Sequence, residues 1–190
     1  MKSICVYCGS NFGKLTEYKE AAVALGKTLV ANELQLVYGG ASVGTMGVIA
    51  DTVLAEGGSA IGVIPKEILA KKEVAHQNLS QMHVVETMHE RKQLMADLAD
   101  GFVALPGGMG TLEELSEVIT WGQFGFHAKP CAVLNVEGYY DHLTAFMAHA
   151  AEQQFIREEH VNMLIKESDP QQLIERMLKY TPPTVNKWID

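Results

Sequence analysis

The segment LPGGMGTLEE, residues Leu105 to Glu114, places three glycines beside a threonine and two carboxylates. An apolar run, GFVAL, leads into it and an amphipathic stretch, LEELSEVITWGQF, follows, which predicts a strand, a glycine turn and the start of a helix. The first turn of a helix has unpaired backbone N–H groups and a partial positive charge, and glycines let an anion approach them. The spacing therefore predicts a phosphate-binding turn.

Glu113 and Glu114 stand in the first turns of that predicted helix. Adjacent helical residues point about 100° apart, so we expect only one of the two carboxylates to face a bound ligand. The other has the ordinary explanation of an acid that favours the positive end of the helix dipole.

A second candidate element, ETMHERK, places Arg91 and Lys92 near the start of another predicted helix. Cations are disfavoured there unless an anion pairs with them. The placement indicates an anionic partner or ligand, although a solvated pair of side chains explains the pattern as well.

The loop GGASVGTMG has the glycine spacing of a P-loop, but Thr45 occupies the position of the lysine that binds the phosphates in a P-loop. The dinucleotide fingerprint also fails, because its third glycine after Gly108 and Gly110 would fall at Glu113. We expect a phosphate site of neither standard kind, while a tight turn without any ligand stays open for GGASVGTMG.

Apolar strand-like runs alternate with helical patterns along the chain, which predicts an α/β protein with a parallel sheet covered by helices on both faces. We predict a doubly wound, Rossmann-like single domain over residues 1–180 and a tail over 181–190, with Thr16 and Asp169 as helix caps. Ligands of such folds bind beyond the carboxyl ends of the strands. The predicted strands are SICVYC, LQLVYGG, SAIGVIP, MHVVE, GFVALP and KPCAVLNV.

Composition excludes several classes of protein. The net charge of −8 argues against a nucleic-acid surface, and no apolar stretch approaches the ~20 residues of a membrane span. A strand-like run begins at residue 3, so we expect no signal peptide. Three cysteines suit a reducing cytoplasm; Cys5 and Cys8 would point to opposite faces of one strand, and the histidines lack metal-ligand spacing.

The motifs PGGMGTLEE and MHERK resemble the PGGxGTxxE and M-x-x-R-K signatures of the Lonely Guy family, the cytokinin riboside 5′-monophosphate phosphoribohydrolases. The runs CVYCGS, VYGGASVGTMG and EVITWGQFGFHAKPCAVLNVEGYYD extend this resemblance over residues 3–180. It implies hydrolysis of an N6-modified adenosine 5′-monophosphate to a free base and ribose 5-phosphate, by a homodimer without metal or organic cofactor. It also implies that the older family label, lysine decarboxylase, is wrong.

Matched position by position, the resemblance implies that Arg91 and Glu114 are the catalytic pair. Met88, Met95, Trp121 and Phe124 either line an apolar slot for an isoprenoid tail or belong to the core or a dimer interface. The predicted substrate and phosphate contacts are Gly107, Gly108, Met109, Gly110, Thr111, Leu112, Glu113, Lys92, Thr120, Glu73, Gly9, Ser10, Gly40 and Met88.

This chemistry agrees with the residue types. Breaking the bond between C1′ and N9 builds positive charge on the ribose, which a carboxylate stabilises, and negative charge on the base, which a cation stabilises. AMP and isopentenyl-AMP are the expected substrates. Two alternatives stay open: a general AMP nucleosidase of nucleotide salvage, and a non-catalytic carrier of a nucleotide or a pterin cofactor.

Overall fold

A seven-stranded sheet forms the centre of the protein in this computed structural model, which describes residues 1–70, 75–184 and 187. The strand order is β4-β3-β2-β1-β5-β6-β7, and every neighbouring pair is parallel. The predicted doubly wound α/β fold is therefore confirmed. The strands are β1 (Ser3–Tyr7), β2 (Gln35–Tyr38), β3 (Ala60–Pro65), β4 (Gln81–Val85), β5 (Gly101–Ala104), β6 (Cys131–Leu134) and β7 (Leu164–Glu167).

The seventh strand was not predicted. Its sequence, LIKE, has only two apolar residues, and both are buried while the two charged ones are not. The strand forms because it extends the sheet at the β6 edge, where Leu164 lies beside Cys131 and Ile165 beside Ala132. Tertiary pairing decides such short segments more than their own pattern does.

Helices connect the strands, as the alternating pattern predicted. A 3₁₀ turn over Val136–Gly138 precedes the sixth helix. The helices are α1 (Thr16–Ala31), α2 (Gly44–Ala55), α3 (Lys66–Leu69), α4 (Met88–Leu98), α5 (Met109–Gln123), α6 (Asp141–Glu152), α7 (Glu158–Val161) and α8 (Pro170–Leu178).

Two hydrophobic cores lie on the two faces of the sheet. One packs α1, α2 and α8 against the strands, and the other packs α4, α5 and α6. Successive strand residues point to opposite faces, so Cys8 belongs to the first core and Cys5 to the second, as predicted for that pair.

The chain reverses its direction across the sheet once. From β1 it moves outward through β2 and β3 to β4, then returns to place β5 on the free side of β1, where Tyr7 lies beside Ala104. Such a reversal opens a crevice at the carboxyl ends of the two strands. The loops that follow β1 and β5, which carry Gly9 and Gly108, begin side by side at this crevice.

One of the two predicted helix caps, Asp169, is confirmed. Thr87 begins α4 with a reciprocal capping box to Glu90, and Asp169 accepts a hydrogen bond from the Gln172 amide at the start of α8. The prediction for Thr16 was wrong: the cap is Leu15, and the Thr16 hydroxyl donates to Glu17 instead. Among the helices of the described ranges, none combines the length and apolar character that a bilayer crossing needs.

Candidate active site

A cavity of about 280 Å³ opens in the crevice between β1 and β5. Its walls come from the ends of β1 and β2, the glycine turn after β5, and helices α2, α4 and α5. The lining residues are Val6, Tyr7, Cys8, Gly9, Ser10, Gly39, Met46, Arg91, Met95, Gly108, Met109, Gly110, Thr111 and Glu114.

The glycine turn supplies free hydrogen-bond donors to this cavity. Gly108 is the cap residue of α5, and its carbonyl accepts from the Leu112 amide. The amides of Met109, Gly110 and Thr111 in the first helical turn have no carbonyl partner in the described parts of the chain. Three N–H groups and the positive end of a fifteen-residue helix thus face a space large enough for a phosphate.

Two glycines of the turn are not required by the protein's own packing. A Cβ built on Gly108 or Gly110 meets no heavy atom within 4 Å, and neither backbone adopts a positive φ. A side chain would therefore fit at both positions without strain. The glycines keep open a space that a ligand can use.

The neighbouring glycines have structural reasons to lack side chains. A Cβ on Gly107 would lie 2.2 Å from Thr111 Oγ1, and one on Gly44, whose φ is +58°, would lie 2.3 Å from the Ser10 carbonyl carbon. Thr45, at the position of a P-loop lysine, instead donates its hydroxyl and amide to the Gly9 carbonyl. The GGASVGTMG loop mainly braces the β1 loop, and it contributes Gly39 and Met46 to the cavity wall.

Arg91 and Glu114 form an ion pair inside the cavity. Arg91 Nη1 lies 2.9 Å from Glu114 Oε1, and the two side chains are only 12% and 11% exposed. Arg91 Nε also donates to the Val63 carbonyl at 3.0 Å, which fixes the guanidinium against β3. A Cβ on Gly39 would lie 2.0 Å from Arg91 Nη2, so a side chain there would displace the guanidinium from its position in the pair.

The surroundings of this pair disfavour the ionised form of the Glu114 carboxyl group. Burial raises the pKa of Glu114 above its ordinary 4.5, the Arg91 charge opposes this shift, and the Glu113 charge adds to it. A buried ion pair adds little stability over an apolar pair, whereas removing one partner costs about 3–5 kcal/mol. A desolvated pair that faces an open cavity is typical of a functional site rather than of a stabilising contact.

Lys92 and Glu113 lie outside the cavity lining. The Lys92 ammonium is buried and contacts the carboxylates of Glu113 and Glu117, so it ties α4 to α5. Burial lowers the pKa of Lys92, but the two carboxylates outweigh it and raise the pKa above its ordinary 10.5. Glu113 is 55% exposed, so Glu114 is the one carboxylate of the adjacent pair that faces the cavity.

Sequence comparison identifies the family. A family model described as "Possible lysine decarboxylase" matches residues 46–177. A probable cytokinin riboside 5′-monophosphate phosphoribohydrolase of Oryza sativa subsp. japonica is 48% identical over 181 residues, which cover 95% of this chain and 79% of that protein. The chain belongs to the Lonely Guy family. Two further relatives named as this phosphoribohydrolase come from Arabidopsis thaliana, 45% identical over 95% of this chain and 84% of that protein, and Rhodococcoides fascians, 48% identical over 82% and 78%.

Solved structures with the same fold are more distant in sequence. The molybdenum cofactor carrier protein of Chlamydomonas reinhardtii is 18% identical, with a TM-score of 0.70 over 94% of this chain and 99% of that one. The molybdenum cofactor binding protein of Rippkaea orientalis is 20% identical, with a TM-score of 0.70 over 94% and 97%. At this identity the likeness shows a shared fold and nothing about ligands.

Some contacts implied by the Lonely Guy motifs lie away from the cavity. Gly40 has a φ of +75° and packs against Met82 and β3 behind the wall that Gly39 forms. Leu112 packs in the core and Thr120 lies farther along α5, while Met88 touches Arg91 through its sulfur at 3.4 Å without lining the cavity. Glu73 lies outside the described residues.

The prediction missed five residues that line the cavity: Val6, Tyr7, Cys8, Gly39 and Met46. The signal was available, because residues at the carboxyl ends of the strands beside the reversal point face the crevice. Of the proposed apolar slot, Met95 lines the cavity, whereas Trp121 packs in the core and Phe124 lies in a separate surface cavity with His127. Within the described ranges, no group of three or more His, Cys, Asp or Glu side chains is arranged to hold a metal ion.

Because Gly110 has free space where a side chain would stand, we predict that Gly110→Ala weakens ligand binding without weakening the fold. Because the new methyl group meets no protein atom and alanine favours a helix over glycine, we expect the free energy of unfolding to match the parent's or to rise by up to about 1 kcal/mol. The methyl group intrudes on the anion's approach to the helix amides, so the Kd for AMP should rise by about tenfold or more, the loss of one charge-assisted hydrogen bond. Calorimetry and urea unfolding measure the two quantities.

Gly44→Ala is the matched control. It places a methyl group on a positive-φ residue against the Ser10 backbone, so it should destabilise folding by more than about 1 kcal/mol. If Gly110→Ala binds AMP as the parent does, the turn does not hold the phosphate.

Proposed function

We propose that this protein hydrolyses the N-glycosidic bond of adenosine 5′-monophosphates, with N6-modified cytokinin nucleotides and AMP as substrates. The bond between C1′ and N9 breaks and its electron pair leaves with the base. Water adds to C1′, and the proton it loses ends on the base. The products are the free base and ribose 5-phosphate. The relatives at 45–48% identity carry the name of this reaction.

The observation that carries the proposal is the Arg91–Glu114 pair next to the open glycine turn. The turn anchors the 5′-phosphate, and that remote binding energy holds the ribose against the carboxylate. Glu114 then faces the positive charge that develops at C1′. Arg91 acts as a charge and hydrogen-bond donor toward the departing base, because guanidinium groups do not serve as proton donors in acid catalysis.

A lysine decarboxylase activity does not suit these residues. Pyridoxal chemistry begins with a neutral, buried lysine that forms a Schiff base. Lys92 is the buried lysine among those that the structure describes, and two carboxylates hold it in the charged form. Its ammonium also lies outside the lining of the cavity.

A carrier function is the alternative from another class. A carrier needs the glycine turn but has no use for a desolvated Arg91–Glu114 pair, whose cost in stability only chemistry explains. The resemblance to molybdenum cofactor carriers is one of fold alone. Release of the free base distinguishes the two functions, because a hydrolase releases it and a carrier does not.

Glu114→Gln tests the catalytic role directly. The amide keeps the shape of the side chain and removes its charge, so release of base from AMP should fall by about 10²–10³-fold while AMP still binds. Adenosine, which lacks the phosphate, should be a poor substrate of the parent enzyme. Base release is followed by chromatography.

Glu117→Gln is the control for this test, since it removes a carboxylate from the same helix at the Lys92 bridge and should keep activity within about tenfold. Release of base that is equal in the parent and in Glu114→Gln would overturn the role of the carboxylate. AMP bound without any release would favour the carrier.

The raised pKa of Glu114 predicts the pH dependence of kcat/KM. The ionised form is the active one, so activity should fall as the pH drops through a midpoint above 4.5. Because the Glu113 charge raises the pKa of Glu114, Glu113→Gln should move this acid limb to lower pH. The substrate's phosphate contributes the same titration to the pH profiles of the parent and of Glu113→Gln. The difference between these two profiles therefore reports the change at Glu114. An unchanged or higher midpoint would contradict the assignment.

We also propose that the protein is a homodimer, as the family resemblance implies. β4 is an edge strand, and Val84 on it and Met88 just after it are each 44% exposed. Large apolar side chains at a sheet edge are typical of a surface that a second chain covers. Sedimentation should give twice the chain mass of 20.8 kDa, and a mass of one chain would contradict the dimer.

The cytoplasm is the location that we propose. Cys5, Cys8 and Cys131 are free and buried, as suits a reducing compartment. Cell fractionation tests this, and recovery in a membrane or extracellular fraction would contradict it.

A further inference from the structure

A second cavity of about 250 Å³ lies behind the glycine turn. It shares Gly9, Ser10 and Gly108 with the first cavity, so the turn is the wall between the two. Three aromatic side chains line the far side: Phe12, Tyr18 and Tyr139. Among the described residues of this lining there is no Asp, Glu, Lys, Arg or His.

Two consecutive tyrosines hold the turn from this side. The Tyr140 hydroxyl donates to the Leu105 carbonyl at 2.6 Å, and the Tyr139 hydroxyl donates to the Gly107 carbonyl at 2.5 Å. Tyr140 is fully buried, whereas Tyr139 is 41% exposed and stacks edge-on against both Tyr140 and Tyr18. The two carbonyls thus have fixed partners on the side away from the phosphate site.

The hydrogen bond from the Tyr139 hydroxyl also orients the other polar group of the same peptide, the Gly108 N–H. The chain has no cis peptide bonds in its described parts, and in a trans peptide the C=O and the following N–H point in opposite directions. With the Gly107 carbonyl held toward Tyr139, the Gly108 N–H is directed away from Tyr139, toward the cavity that Gly108 also lines. The Gly108 amide then joins those of the first helical turn as a donor to an anion.

This orientation needs a restraint. A peptide between two glycines has no Cβ to limit its rotation, so it flips more readily than any other. Flipped, it would present the Gly107 carbonyl to the anion and replace an attraction by a repulsion. The Tyr139 hydroxyl is the group that disfavours this state.

We propose that Tyr139 is a positioning residue for the substrate's phosphate: it fixes the Gly107–Gly108 peptide so that the Gly108 N–H faces the anion. The inference rests on the proposed function only in taking the turn as the phosphate site. Tyr139 acts through the backbone and touches neither the ribose nor the base. Its loss should therefore weaken phosphate binding and leave the chemical step unchanged.

Tyr139→Phe tests this, because it removes the hydroxyl and keeps the ring and its stacking. The KM for AMP should rise about 3–10-fold, the loss of one net hydrogen bond, while kcat stays within about twofold. The Kd of ribose 5-phosphate, measured by calorimetry, should rise by the same factor. The Kd of adenosine, which lacks the phosphate, should not change.

Tyr18→Phe is the matched control, because it removes a hydroxyl from the same aromatic group but not from the turn. It should leave all four quantities unchanged. If Tyr139→Phe weakens the binding of ribose 5-phosphate and of adenosine equally, the site has loosened as a whole and the proposal is overturned. An unchanged affinity for ribose 5-phosphate would also overturn it. If the parent protein releases no base, the proposed hydrolysis fails, yet the ribose 5-phosphate measurement still decides the role of Tyr139.

Discussion

The ion pair between Arg91 and Glu114 determines how α4 and α5 pack beside the sheet. Two charges that are almost fully removed from water require partners on every side, since an unpaired one would cost several kcal/mol. The Val63 carbonyl accepts a hydrogen bond from Arg91 Nε–H, and Gly39 leaves room for the far side of the guanidinium. The Lys92 bridge to α5 holds the two helices at the separation that the pair needs. Each of these features is local, yet together they fix how α4 meets α5 beside the sheet.

The glycines near the site divide into two groups with different physical causes. At Gly44 and Gly107 a Cβ would collide with another part of the protein, so packing explains these two positions, whereas a Cβ at Gly39 would displace the Arg91 guanidinium. At Gly108 and Gly110 a Cβ would meet nothing. An absent side chain with nothing to avoid indicates something outside the chain that needs the space. The sequence motif contains both groups and does not distinguish them.

The sequence predicted the parallel sheet, six of its strands and the glycine turn, because continuous apolar runs and strand–glycine–helix junctions are set by local chemistry. It also anticipated that only one of Glu113 and Glu114 would face a ligand, since the helical period decides that. Residue pattern alone could not separate Arg91 from Lys92, and only the family motif did, because which of two adjacent cations enters the cavity depends on the packing of α4 against β3. Tyr7 and Met46 were missed for a similar reason. Apolar strand ends and helix starts look like core until the strand order places them at the reversal point.

The cavity's distribution of charge accounts for the missing P-loop lysine. Arg91 is the only Lys, Arg or His among the described residues that line the cavity, and it is committed to Glu114 and the Val63 carbonyl. The phosphate end of the cavity therefore offers backbone amides, hydroxyls and a helix dipole, all of them neutral groups. A phosphoryl-transfer enzyme needs a cation there, because charge builds on the phosphate in its transition state. In glycosidic cleavage the phosphate is only an anchor and charge builds at the ribose and the base, so neutral donors suffice at the anchor. The single cation, Arg91, lies instead beside the Glu114 carboxylate, at the end of the cavity where that charge builds.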